Sequence, residues 1–215
     1  MKTLFYLFVL SFTSITGFAQ SNNPYNQRGL DYVSSLDIIA NDFNNGKVKE
    51  FNEETIAYYS ASLPLRGQAS TEMAASIFKT LKTPDFSISK FIDESKFSET
   101  GKSVCRDIFF GEKGMSEEAY KERLVSKVDD LNKAELDEAE KETLLSVIAI
   151  VYHTQPATQA TQRLSCHAAL GDLTTPMSCI AVGAAMGGFL GYTICGPACG
   201  IGGAIIGGVV GAICN

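Results

Sequence analysis

Glycine recurs at every fourth position near the end of the chain, and this spacing constrains the fold more than any other feature. The ladder runs through two blocks on either side of Gly196-Pro197-Ala198 and comprises Gly183, Gly187, Gly191, Gly203, Gly207 and Gly211. Residues four apart lie on one face of an α-helix, so each block presents a face of bare backbone. Because glycine in a water-exposed helix costs about 1 kcal/mol relative to alanine, such a face is typical of helices that pack closely in lipid.

A reversal of the chain at Pro197 predicts a helical hairpin with its glycine faces together. The expected neighbours are Gly183 with Gly211, Gly187 with Gly207, Gly191 with Gly203, Cys195 with Cys199 at the tip, and Cys179 with Cys214 at the open end. Close approach of the backbones suits cystine, whose Cα atoms lie about 4.4–6.8 Å apart. We therefore expect a crossing pair of helices closed by these two disulfides.

Another interpretation places the same stretch in the buried core of a larger soluble domain. Each predicted arm spans about 22–26 Å, which is less than the roughly 30 Å of a bilayer's hydrocarbon layer. A flexible glycine-rich tail is disfavoured, because isoleucine, valine, leucine and phenylalanine are interspersed with the glycines.

Charge divides the chain into two parts. The formal net charge is −6 and the isoelectric point about 5.0, yet Asp, Glu, Lys and Arg are all absent from Leu173 to Asn215. An acidic chain with no basic stripe argues against a nucleic-acid partner. The composition predicts a charged body followed by a neutral apolar end.

The first nineteen residues have the pattern of a secretory signal peptide. Lys2 precedes an apolar run from Leu4 to Phe12, and Gly17-Phe18-Ala19 has the small residues that signal peptidase recognises. We expect cleavage after Ala19, export from the cell and an oxidising environment.

The six cysteines therefore predict a disulfide framework rather than a metal site. Besides the two hairpin pairs, Cys105 is expected to pair with Cys166. Cys195 and Cys199 lack the second matching pair that a zinc site requires, so no metal or cofactor is expected.

The region between the signal peptide and the hairpin predicts a small all-α domain. After a polar, frayed start at Ser21–Arg28, helical spacing occurs over Leu30–Ile39, Thr55–Leu63 and Ser70–Leu81, and the aromatic-rich stretches Phe86–Phe97 and Val104–Phe110 have no clear period. Ser116 is expected to cap a helix with an apolar stripe formed by Tyr120, Leu124, Val128 and Leu131. Lys133–Tyr152 changes from a charged half to an apolar half. We expect it to enter the domain core; attachment to a membrane surface is the alternative.

A polar linker separates this body from the apolar end. The predicted divisions are a signal peptide at 1–19, a helical acidic pro-domain at 20–153, a linker at 154–163 and the Cys/Gly-rich hairpin at 164–215. Arg163 is the last basic residue, and exposed linkers are where proteases cut. Cleavage there would release Leu164–Asn215; an ordinary solvated arginine is an equally good interpretation.

No arrangement of residues typical of an enzyme is present. The C-terminal glycines lack the Lys-Ser/Thr of a phosphate-binding loop, no Gly-x-Ser-x-Gly occurs, and the two histidines offer few catalytic bases. The chain is predicted not to be an enzyme.

The layout of an exported acidic region, a polar linker and a terminal Cys-bearing, Gly/Ala-rich peptide resembles the precursors of secreted peptide bacteriocins. Sporulation-delaying-toxin-like and halocin-like precursors share it; the resemblance covers the signal peptide and residues 164–215, with a faint likeness at Phe109-Phe110-Gly111-Glu112. It implies an antimicrobial precursor, a processing protease, self-association of the hairpin and permeabilisation of a target cell's bilayer.

The two glycine blocks also resemble envelope proteins with a two-helix glycine zipper, although the lipoprotein cysteine usual in those proteins is missing here. This resemblance implies an uncleaved protein anchored by its hairpin in the producer's own envelope.

Overall fold

The protein is all-α, as the sequence predicts. The computed structural model describes residues 22–47, 54–55, 58–59, 76, 79, 87–112, 114–154, 177, 179–195, 199–200, 203–204 and 207. Within this part of the chain there is no strand, and the helices are α1 (Asn26–Asn44), α2 (Ile88–Glu94), α3 (Glu99–Phe109), α4 (Glu117–Lys133), α5 (Glu138–Thr154) and α6 (Cys179–Cys195).

Helix α4 forms where its capping signal and apolar spacing predict. The Ser116 hydroxyl accepts a hydrogen bond from the backbone N–H of Ala119 at 3.2 Å, and Glu117 and Glu118 follow in the first turn. Such acids are favourable near the positive end of the helix dipole. The buried residues are those of the predicted stripe: Tyr120, Leu124, Val128 and Leu131.

Both aromatic-rich stretches of unclear period contain helical residues, in α2 (Ile88–Glu94) and α3 (Glu99–Phe109). Ser87 caps α2 and Ser98 caps α3, each by accepting a hydrogen bond from a backbone N–H three residues later. Of the other predicted helices, residues 54–55, 58–59, 76 and 79 are helical, and the remaining residues of 55–63 and 70–81 lie outside the described part of the chain.

Helix α5 forms the centre of the protein. Residues 143–151 are buried on every side, and α5 packs against α1, α3, α4 and α6. Asp137 caps its start by accepting hydrogen bonds from the N–H groups of Ala139 and Glu140. The structure thus confirms the expected core helix: its apolar half is inside, and its charged first turns are near the surface except for Glu140, which is buried and accepts hydrogen bonds from Ser98.

The expectation of a frayed start is wrong for residues 22–28. The Asn23 side chain is buried and donates a hydrogen bond to the carbonyl oxygen of Leu145 at 3.0 Å. Arg28 donates to Glu142 at 2.5 Å and to Ser146 at 2.7 Å. These polar side chains order the segment because their partners lie on α5.

The described part of α6 shares a single hydrophobic core with the charged body. Five residues of α6, together with Met177 just before it, belong to the same buried cluster as residues of α2, α3, α4 and α5; the five are Ala181, Val182, Ala185, Met186 and Phe189. The charged body and the apolar end, which are separate in the sequence, therefore pack against each other.

Candidate functional site

The candidate site is the uncharged helix α6 together with the elements that enclose it. Helix α6 carries no charged side chain, and every residue from 181 to 191 is buried. The chain that encloses it is acidic overall. Facing α6 are the helical residues Cys199, Gly200, Gly203, Ala204 and Gly207, which we call the second arm.

Glycines of α6 and the second arm are in contact through their backbones. A Cβ added at Gly187 would overlap the Gly203 carbonyl group and lie 2.9 Å from the Cα of Gly207. One added at Gly207 would overlap the Gly183 carbonyl and lie 2.9 Å from the Cα of Gly187. Since real Cβ atoms cannot approach this closely, only glycine fits at these positions without moving the helices apart.

The glycines of the two arms interleave: Gly187, Gly203 and Gly207 each contact two glycines of the facing arm rather than a single partner. Gly187 lies between Gly203 and Gly207, and Gly203 lies between Gly187 and Gly191. One neighbour of each belongs to the predicted pairs Gly187–Gly207 and Gly191–Gly203, and the other lies one helical turn away. Gly211 is outside the described residues.

A second glycine contact, which sequence reasoning missed, joins α6 to the body. A Cβ added at Gly188 would lie 2.8 Å from Cγ2 of Val147 on α5, and one at Gly200 would lie 3.5 Å from Cγ2 of Thr143. The doublet Gly187-Gly188 was a usable signal, because neighbouring helical residues point about 100° apart and face different partners.

Aromatic rings join α6 to α3 and to the loop before it. Phe189 packs edge-on against Phe97 and Phe109, with ring centroids 5.5 and 5.8 Å apart. Tyr192 stacks on Phe97 at 4.8 Å. Offset-stacked and edge-to-face geometries are the favoured ones, so this layer attaches α6 firmly to the body.

Helix α1 contacts the second arm from another side. The buried Tyr32 hydroxyl donates a hydrogen bond to the carbonyl oxygen of Ala204 at 3.2 Å, and burial raises the pKa of Tyr32 well above its usual range. Gly29 lets α1 approach α5, since a Cβ there would overlap the Ala149 carbonyl. The second arm is therefore linked to the body by a hydrogen bond as well as by packing.

Cys105 is a free, buried thiol, so the predicted Cys105–Cys166 disulfide is wrong. Its side chain is on the core-facing side of α3, with Val104 and Ile108, and it has no solvent exposure. Burial raises the pKa of the Cys105 thiol well above its ordinary value, with nearby Glu140 adding to the effect. The thiol is therefore protonated and unreactive.

Of the cysteines in the predicted hairpin, Cys199 is disulfide-bonded. The side chains of Cys179 and Cys195, like residues Cys166 and Cys214, lie outside the described part of the chain, so the predicted Cys195–Cys199 and Cys179–Cys214 pairs stay predictions. The processing candidates Ala19 and Arg163 lie outside it as well.

Within the described residues, no three His, Cys, Asp or Glu side chains are grouped so as to hold a metal ion. Among the described helices, none combines the length and the apolarity needed to cross a membrane. No protein family, curated protein or solved structure matches the chain.

Proposed function

We propose that this chain is a secreted, bacteriocin-like antimicrobial precursor. Its C-terminal glycine-zipper hairpin is held against the helical body, a protease cuts the linker between them, and the released hairpin then permeabilises the membranes of target cells. The body acts as a pro-domain that covers an apolar peptide during its passage through water.

The observation that carries this proposal is the combination of an uncharged helix with complete burial. A free peptide with the composition of α6 would expose a large apolar surface, which soluble proteins avoid. Here residues 181–191 are buried by α5, the aromatic layer and the second arm. The body supplies the apolar surroundings that a bilayer would supply after release.

The contacts inside the hairpin support a role in lipid. Between Gly187, Gly203 and Gly207 the packing is of backbone on backbone, which depends little on exclusion of water. Helices associate in bilayers through this kind of contact between small residues. The hairpin can therefore keep its internal packing while its outer surface changes from protein to lipid.

The intact mass of material secreted by the producing cell tests the release step. We expect a fragment beginning near Leu164. The purified fragment is then expected to release dye from liposomes, whereas Gly187→Leu combined with Gly207→Leu abolishes release without reducing export. Ser126→Ala, at an exposed position on α4, is the control for export, and the unsubstituted fragment is the control for dye release. Equal leakage from the double variant would contradict the role of the glycine contacts.

The backbone contacts between glycines of α6 and the second arm also fit a second candidate, in which the chain is never cut. The protein would then be a helical envelope component that uses its hairpin as an anchor in the producer's own membrane. Full-length protein in the membrane fraction, with no fragment in the medium, would support this function over the first.

A further inference from the structure

We infer that the face of the body formed by α1 and α5 is a binding site that retains the hairpin after the linker is cut, so that contact with a lipid bilayer, rather than proteolysis, sets the hairpin free. This inference rests on the proposed function and identifies a lipid bilayer as the partner that triggers release of the hairpin.

The first reason is that α5 fits the hairpin closely at two backbone positions. Gly188 of α6 and Gly200 of the second arm lie side by side, and a Cβ at Gly200 would be 3.3 Å from the Gly188 carbonyl oxygen. Val147 and Thr143, one helical turn apart on α5, contact these two glycines. The fit involves both arms, so α5 recognises the assembled pair.

The second reason is that α1 contacts the second arm while being fixed to α5. Tyr32 donates to Ala204 of the second arm. The position of α1 depends on Arg28, which bonds Glu142 and Ser146, and on Asn26, whose side-chain oxygen lies 2.7 Å from Nε2 of His153. None of these hydrogen-bonding residues lies in the 155–163 segment, so all of these bonds are kept when that segment is cut.

The third reason is that a cut in the linker removes none of the described contacts. The described part of the body side ends with α5, and the described part of the hairpin side begins with Met177, whose side chain is buried in the core. Val182, Met186 and Phe189 follow it into the same cluster. In water these side chains have no alternative apolar surroundings, so they stay against the body. A bilayer offers such surroundings and competes for them.

The experiment uses the full chain with the recognition sequence of a site-specific protease inserted in the 155–163 segment. After cutting, the body and the hairpin are expected to co-elute in gel filtration and to appear as a 1:1 complex in native mass spectrometry. Separation of the two fragments in plain buffer would overturn the inference.

Vesicles of phosphatidylethanolamine and phosphatidylglycerol are then added to the cut and the uncut protein. The hairpin of the cut protein is expected to move to the vesicles and the body to stay in solution, while the uncut protein remains in solution. A cut complex that ignores the vesicles and causes no leakage would refute the proposed function and the lipid trigger together. Fragments that separate in buffer and still cause leakage would refute this inference and leave the proposed function standing.

A pair of substitutions tests the contact itself. Gly188→Ala puts a methyl group against Val147 and is expected to raise the dissociation rate of the cut complex about tenfold, because overpacking a dense core is destabilising. Val147→Ala makes room for that methyl group, so the double variant should dissociate more slowly than Gly188→Ala alone. Exposed Ser126→Ala should leave the rate unchanged. Faster dissociation without any rescue by Val147→Ala would show that these two positions do not form the site.

Discussion

Replacing Phe189 with alanine is the most direct test of where α6 lies. Phe189 is fully buried between Phe97 and Phe109. Truncation of a buried phenylalanine costs about 3–5 kcal/mol, and the two edge-to-face contacts favour the upper half of that range. Since typical proteins are stable by only about 5–15 kcal/mol, Phe189→Ala should remove a large part of the stability of the full chain.

Urea unfolding of the purified, uncut protein, followed by circular dichroism, measures this loss. At about 2–4 °C per kcal/mol for a chain of this size, the melting temperature should also fall by roughly 8–20 °C. Phe189→Leu, which keeps part of the apolar volume but loses both ring contacts, should cost less than Phe189→Ala. If Phe189→Ala lowers stability by less than about 1 kcal/mol, α6 is not part of the core and the account of a covered hairpin fails.

Three further predictions concern other parts of the same core. Tyr32→Phe leaves the Ala204 carbonyl without its donor and should cost about 1–3 kcal/mol in urea unfolding; no change would show that the bond is unimportant. Burial and nearby Lys121 lower the pKa of His153, so the unfolded chain binds a proton first and stability should fall as pH drops below about 6.5. His153→Gln should flatten this part of the pH profile, and an unchanged slope would assign the effect to another group. A maleimide should label Cys105 only after unfolding, and labelling of the native protein, located by mass spectrometry, would contradict its burial.

The sequence is most informative where local signals and tertiary packing agree. In α4, the cap at Ser116 and the stripe from Tyr120 to Leu131 both act within a few turns of one helix, so periodicity predicts the buried face correctly. The sequence also predicts burial of the apolar half of α5, because a helix that is apolar on all sides must be buried.

Sequence reasoning failed where a residue's partner is distant along the chain. Asn23 and Arg28 have the composition of a frayed end, but hydrogen bonds to Leu145, Glu142 and Ser146 on α5 order them. No local pattern encodes those contacts. Gly188 presents the same difficulty: the spacing of the ladder identifies Gly187, but the partner of Gly188 is a valine on another helix.

For Cys105, composition and position pointed in different directions. An even number of cysteines in an exported chain favours disulfides, yet Cys105 follows Gly101 by four residues and precedes Ile108 by three, which places it on the buried stripe of α3. Cysteine is among the most frequently buried residue types even when unpaired. Its helical position was therefore the better guide.

Helix α6 contacts the second arm and the body through interfaces of different chemistry, and under the proposed function that difference determines how the hairpin would be released. Between Gly187 and Gly203 the contact is backbone on backbone, so it loses little when water or protein is exchanged for lipid. Between Phe189 and the aromatic layer the contact is hydrophobic, and its strength depends on water being the alternative. Transfer to a bilayer therefore weakens the second interface while preserving the first. An apolar peptide held in this way can leave its body as a folded unit, without passing through an exposed, unpaired helix.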